Sequence, residues 1–282
     1  MKFIHTVAGS SQLKWASWGV SRSQAGDLDH LRDLFEGGRY EEAEAGAKAL
    51  AAAARRGWGR SRAVEWLARA MCAAAALAHG RGVGVLVELD ILIAELEQTV
   101  GPDRALLLGV RSNRALVLIR QERYAEAEAE ADDILRAVTR LAHLTEVWSI
   151  ELATLDRLAV ALCGQGRHEE AEAIARGNLP RAEGDTAAAL RCVLVRSLNG
   201  QGRYEEALAE ARRPTLPLAR SGSGSLGIVT ATAFHGLGRR VEAEATARQA
   251  LTACEQFLHP DHPRIQEARA LLARTTAEGP LP

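Results

Sequence analysis

Apolar residues recur along this chain at three- and four-residue steps, the spacing that lines one side of an α-helix. Leu106, Val110, Ala115, Leu118 and Ile119 form one such set. Where a set ends, a short turn follows, usually with a glycine, and a new helical pattern opens on acidic residues, as at Glu41-Glu42 and Glu205-Glu206. Glycine takes the left-handed conformation that closes a helix without a Cβ penalty. Carboxylates in a first turn complement the positive amide end, worth about 0.3–1 kcal/mol when exposed. One stretch departs from this amphipathic pattern. Val83, Val85, Leu86, Val87, Leu89, Ile91, Leu92, Ile93 and Leu96 predict a helix that is apolar nearly all round and is buried on more than one side. Its cover is the N-terminal stretch Phe3, Ile4, Val7, Leu13, Trp15 and Trp18, or a second protomer in a homodimer through Val83 to Leu96, or ordinary packing within its own repeat.

The turns share a phrase. Gly-Gly-Arg-Tyr-Glu-Glu-Ala-Glu-Ala at Gly37 to Ala45 returns in close variants at 121–129, 165–173, 201–209 and 237–245. The phrase arginines are Arg39, Arg123, Arg167, Arg203 and Arg239, separated by 84, 44, 36 and 36 residues. The first gap is two units of 42 and predicts a degenerate copy at His79-Gly80-Arg81-Gly82. Six helix–turn–helix units therefore tile the chain from about Asp27. The alanine after the acidic pair (Ala43, Ala127, Ala171, Ala207, Ala243) is small because two helices cross closely there, and enlarging it costs about 1–3 kcal/mol. A second small position, twelve residues earlier, holds Ala73, Ala115, Ala159 and Ala231, while Leu31 and Val195 break it. Pro214 and Pro217 fall where the fifth unit's second helix would run, so that helix ends early or kinks.

From Asp27 to Arg274 the chain resembles the tetratricopeptide repeat family, through the Gly-Arg-Tyr-Glu-Glu-Ala core and the paired small positions. The 42-residue spacing, Val100-Gly101-Pro102-Asp103 before Asn113 and Ala115, and Leu258-His259-Pro260-Asp261-His262-Pro263 are similar to the kinesin-light-chain-like variant. The resemblance implies an all-α, right-handed α-solenoid of about six units, with an N-terminal extension at 1–26, the solenoid at 27–282 and Arg264 to Arg274 as a capping helix. It also implies a concave groove lined by first helices, with Asn113 at a position whose amide often holds a ligand backbone. Carried over position by position, the groove residues are Ser112, Asn113, Leu116 and Arg120, then Asp156, Arg157 and Val160, then Cys192, Arg196 and Asn199, then Thr232 and His235. Arg120, Arg157 and Arg196 have the fork geometry that holds carboxylates.

Composition narrows the functions. Of 282 residues 47% are hydrophobic and 25% charged, as in a globular chain, and Lys+Arg 35 against Asp+Glu 36 gives a net charge of −1. No global field draws such a chain to nucleic acid or anionic lipid, and 4% aromatics is too few for a base-stacking platform. Cys72, Cys163, Cys192 and Cys254 are widely spaced and suit a reduced, cytoplasmic chain. Met1 to Val20 lacks the uniform apolar run of a signal peptide, and no stretch reaches the length of a spanning helix.

Chemical motifs are weak. Gly222-Ser223-Gly224-Ser225-Leu226-Gly227 fits the dinucleotide fingerprint but lacks the preceding strand, and reads as an inter-helix loop. Cys254, His259 and His262 have short spacing but sit in the repeat-to-repeat loop, so no metal is assigned. With no catalytic motif and no cofactor signature, the expectation is a non-catalytic scaffold that binds a protein or peptide in its groove, with no nucleic acid or membrane partner. The alternatives are a peptide- or metabolite-sensing regulator, or a pathway accessory protein or enzyme with a small-molecule pocket in the groove.

Overall fold

The computed structural model describes residues 21–56, 62–81, 84–98, 103–141, 147–213 and 222–277. They form thirteen α-helices and one 3-10 turn, with no strand among the described residues. The helices are α1 (Arg22–Glu36), α2 (Tyr40–Arg56), α3 (Arg62–His79), α4 (Val85–Glu97), α5 (Asp103–Arg120), α6 (Tyr124–Leu141) and α7 (Trp148–Gly164). They continue as α8 (His168–Asn178), α9 (Gly184–Gly200), α10 (Tyr204–Ala211), α11 (Ser225–Gly236), α12 (Arg240–Phe257) and α13 (Pro263–Ala277). The fold is all-α: six helix–turn–helix pairs followed by a single helix. None of the described helices is long and apolar enough to cross a membrane. The chain divides into two compact units, Met1–Arg157 and Leu158–Pro282.

All six turns close with the same hydrogen bond. The phrase arginine donates its backbone N–H to the carbonyl five residues earlier: Arg39 to Leu34, Arg81 to Ala76, Arg123 to Leu118, Arg167 to Leu162, Arg203 to Leu198 and Arg239 to Phe234, each at 2.8–2.9 Å. The residue before it is left-handed in every turn. Gly38, Gly80, Gly166, Gly202 and Gly238 have φ of 72–101°, and Glu122 occupies the same position at 58°. This pattern is the Schellman closure, which satisfies carbonyls the helix end leaves bare. It also locates the degenerate copy at Arg81.

The rest of the phrase has equally local causes. The arginine guanidinium pairs with the carboxylate three residues on: Arg123–Glu126 at 2.7 Å, Arg167–Glu170 and Arg203–Glu206 at 2.6 Å, and likewise Arg39–Glu42 and Arg239–Glu242. Those arginines hold the five carboxyl groups below their ordinary range. Two phrase arginines also reach back to the preceding phrase. Arg81 pairs with buried Glu44, and Arg203 bonds Glu172 at 2.6 Å, which ties one repeat to the next.

Small residues set the helix spacing. Ala43, Ala127, Ala171, Ala207 and Ala243 are all buried, as are Ala73, Ala115, Ala159 and Ala231. Leu31, which breaks that second series, is matched on the facing helix by Gly46, where a Cβ would stand 2.6 Å from Leu31 Cδ2. In the second unit the phrase ring fills a glycine notch of the following repeat. A Cβ on Gly200 would meet the His168 imidazole at 2.3 Å, and one on Gly236 would meet the Tyr204 ring at 2.4 Å.

The first unit's core gathers Leu28, Leu67, Leu77, Leu106, Ile134 and Ile150. It also takes up most of the apolar helix: Leu89, Leu92 and Leu96 are buried, and Val85, Leu86 and Ile93 pack against it. Only Val87 and Ile91 of that run remain exposed among the described residues, at 63% and 47%. Val83 and the six N-terminal apolar residues lie outside the described residues. In the second unit Ile228, Ala247, Cys254, Ile265 and Leu271 form the terminal core, with α13 packed on α12 and α11. α10 is eight residues long and stops at Ala211, ahead of Pro214, which with Pro217 lies outside the described residues.

Candidate functional site

In the first unit, α5 presents Ser112 and Asn113, and α7 presents Thr154, Asp156 and Arg157. Asn113 and Arg157 hold equivalent positions, ten residues before the phrase arginines Arg123 and Arg167, so the repeat itself brings them side by side. Thr154 Oγ1 donates its one proton to Ile150 O at 2.7 Å. The 3.1 Å contact between Ser112 Oγ and Thr154 Oγ1 therefore has Ser112 as donor. Ser112 Oγ in turn accepts from Arg157 Nη1 at 2.6 Å. The same Nη1 donates to Ala153 O at 3.0 Å, and Nη2 donates to Asn113 Oδ1 at 3.4 Å.

These bonds hold Ser112, Asn113, Thr154 and Arg157, and three polar atoms shut off from solvent have no partner: Asn113 Nδ2, Arg157 Nε and Asp156 Oδ1. Ser112 and Asn113 are 3% and 5% exposed, while Asp156 and Arg157 are half-buried. Burial pushes the Asp156 carboxyl up to about 6, against the pull of the Arg157 charge. Burial likewise lowers Arg157 to about 10, opposed by Asp156. Both groups are predominantly charged at neutral pH. The site thus offers two fixed donors and one anionic acceptor with spare capacity. An orphaned buried polar group costs about 1–3 kcal/mol. The complement is a group carrying both a carbonyl or carboxylate oxygen and an N–H or ammonium.

Four of the twelve residues expected to line a groove, Ser112, Asn113, Asp156 and Arg157, meet in this cluster. Leu116 packs partly against the first unit's core, and Arg120 is half-buried at the end of α5. In the second unit Val160 and Cys192 are half-buried. Arg196 pairs with Glu267 of α13 at 2.9 Å. Asn199 Nδ2 donates to Val229 O on α11 at 2.7 Å, Thr232 Oγ1 donates to Ile228 O of its own helix, and His235 is half-buried in the last turn of α11. The residue that sequence reasoning missed is Thr154, a hydroxyl between apolar Leu152 and Leu158 whose significance depends on a contact 42 residues away.

Other polar features have structural explanations. Arg69, buried between α3 and α4, is matched by Glu88 at 2.7 Å and Glu95 at 2.9 Å, and Glu95 also accepts from Trp66 Nε1 at 2.9 Å. In the glycine-rich stretch before α11, a Cβ on Gly224 would lie 2.3 Å from Cys254 Sγ, and one on Gly227 would lie 2.9 Å from Ala250 Cβ. Those glycines let α11 approach α12. Cys254 Sγ faces Ser223 O at 3.5 Å, His262 Nδ1 accepts from the Arg264 backbone, and His259 Nδ1 accepts from that of Asp261. No group of three or more potential metal ligands occurs among the described residues.

Residues 152–183 match the family model described as tetratricopeptide repeat. Among solved structures, the crystal structure of a Rap protein complexed with competence and sporulation factor is similar, with a TM-score of 0.62 and 14% identity over 90% of this chain and 71% of that one. A tetratricopeptide repeat protein from Parabacteroides merdae aligns with a TM-score of 0.44 and 13% identity, over 90% of this chain and 99% of that one. A search of curated proteins finds no match. The matched segment contains Asp156, Arg157 and the Arg167–Glu170 turn, and the Rap likeness is one of fold.

Proposed function

We propose that this chain, a tetratricopeptide repeat protein, is a non-catalytic scaffold that binds a peptide or an extended protein segment at the Ser112–Asn113–Asp156–Arg157 cluster. The observation that carries the reading is the set of three partnerless polar atoms on and beside the hydrogen-bonded Ser112, Asn113, Thr154 and Arg157 side chains. A peptide unit supplies what they lack: its carbonyl accepts from Asn113 Nδ2 and Arg157 Nε, and a donor on the ligand meets Asp156 Oδ1. Leu116 provides an adjoining apolar surface. Pre-organisation favours this use, because Ser112 and Thr154 hold Arg157 in place before any ligand arrives. Val87 and Ile91 are the residues a homodimer through the apolar helix would use.

Selection from a random-peptide library on the wild-type chain, followed by calorimetric titration of the enriched sequences, tests the assignment. Asn113→Ala combined with Arg157→Ala is expected to remove binding while helical content is retained. Equal affinity in the double variant would place the binding site elsewhere.

A further inference from the structure

The second unit holds a charged cluster that the peptide cluster does not involve. Arg196 of α9 and Glu267 of α13 pair at 2.9 Å, Nη2 to Oε1. α11 packs against both α9 and α13, so the pair reaches over an intervening helix rather than joining neighbours. The repeat explains how. Thr232 stands seven residues before Arg239, as Arg196 stands seven before Arg203, so α11 carries a short side chain where α9 carries the arginine. Thr232 Oγ1 donates to Ile228 O at 3.0 Å, which turns the hydroxyl to its own backbone.

Glu267 acts on a second cation as well. Arg264, three residues earlier, shares its face of α13. Burial lowers the Arg264 guanidinium; Glu267 opposes that shift and Arg196 adds to it. At Arg196 burial also works against the charge, and Glu267 outweighs it. Two guanidinium charges are thus served by one carboxylate, with the half-buried Cys192 thiol near both. The carboxylate is not locked in place. The Arg196 and Glu267 side chains are 44% and 40% exposed, and an ion pair so open to water contributes little. Arg264 is anchored, its Nη1 donating to Ser223 O at 3.2 Å. An anchored cation and an open one, sharing a displaceable monoanion, suit a ligand of higher charge. A phosphate group carries close to two negative charges at neutral pH on strong acceptor oxygens, and guanidinium forks bind it through paired N–H donors.

We propose that Arg196 and Arg264 form a binding site for a phosphate dianion on the second unit, in which Glu267 serves the guanidinia until the ligand displaces it. Neither arginine belongs to the first-unit peptide cluster, and the site stands without it.

Titration of the full chain with inorganic phosphate at pH 7.5 and constant ionic strength, followed by backbone amide resonances, tests this. Saturable shifts are expected in α9 and α13, with acetate at least about tenfold weaker because a single charge forgoes one charged hydrogen bond. Arg196→Gln and Arg264→Gln are each expected to weaken phosphate at least about tenfold for the same reason. Glu267→Gln is expected to act in the opposite direction, tightening phosphate about two- to fivefold by removing the internal competitor. Phenyl phosphate is the second probe: tighter binding than inorganic phosphate supports a phosphorylated molecule as the ligand, and weaker binding supports the free ion. Shifts that do not saturate, or that saturate only outside α9 and α13, overturn the proposal. Equal binding of acetate overturns it too, and these comparisons need no variant to fold. So does a Glu267→Gln chain that binds phosphate no more tightly than the wild type. No peptide is added, so failure of the library selection leaves this result readable, and absence of phosphate binding leaves the peptide site standing.

Discussion

Glu122 is the exception that measures the turn. It holds the left-handed position at φ 58°, where the other five turns have glycine, and its side chain is exposed. For an L-residue with a Cβ that conformation costs about 1–2 kcal/mol. Glycine avoids the cost but loses about 0.5–1 kcal/mol through the greater freedom of the unfolded chain. Glu122→Gly is therefore expected to stabilise the α5–α6 pair by about 0.5–1 kcal/mol. The converse, Gly202→Ala, starts at φ 73° with nothing within 4 Å of the added Cβ, so its cost is conformational and of similar size with opposite sign. Stacked repeats open locally, so the suitable readout is amide hydrogen exchange resolved by helix. A shift of 0.5–1 kcal/mol changes exchange about two- to fivefold, slower in α5 and α6 for Glu122→Gly and faster in α9 and α10 for Gly202→Ala. Faster exchange in Glu122→Gly, or none of the expected loss in Gly202→Ala, would refute the claim that a left-handed residue limits these turns.

Other consequences can be checked independently. Gly46→Ala is expected to destabilise by up to about 2 kcal/mol because it crowds Leu31, yet to stabilise by about 1 kcal/mol in a Leu31→Ala background, where only helix propensity remains; urea melts of the four chains in the cycle decide. Asp156 ionises at about 6 in the unliganded site, so it is charged at pH 7.5 and mostly protonated at pH 5. A ligand donating to Oδ1 is expected to bind more weakly at the lower pH, and titrations of Asp156→Asn should show that dependence flattened. The five phrase carboxylates are held low by their arginines, so their contribution is present above about pH 4.5, the ordinary carboxylate range, and is lost as pH falls through their lowered values. Thermal melts should show an acid loss that shrinks at 1 M salt.

Local order was readable from sequence because its causes are local. Glycine and arginine at fixed spacing are sufficient to specify a Schellman turn, and they located even the copy at Arg81. Proline at 214 was enough to anticipate a short α10. What escaped depends on pairs distant in sequence. Leu31 read as a defect in the small-residue series until Gly46 was seen opposite it. Arg196 was expected to be available for a ligand carboxylate, but Glu267, 71 residues later, already meets it. Asn113 and Arg157 were legible as equivalent positions of successive repeats, whereas their fixation through Ser112 and Thr154 required the facing helices in place.

The ring-in-notch contacts of the second unit also bear on how the chain can lengthen or shorten. His168 fits Gly200 and Tyr204 fits Gly236, and the two notches are 36 residues apart. Excising residues 201–236 would remove Tyr204 together with its own socket and leave His168 seated in Gly200, followed by an intact Leu237-Gly238-Arg239 bend. An in-frame loss or duplication of that size keeps each plug with a matching hole, whereas a loss that takes Gly236 but spares Tyr204 strands a ring. The molecule carries a ruler for its own editing.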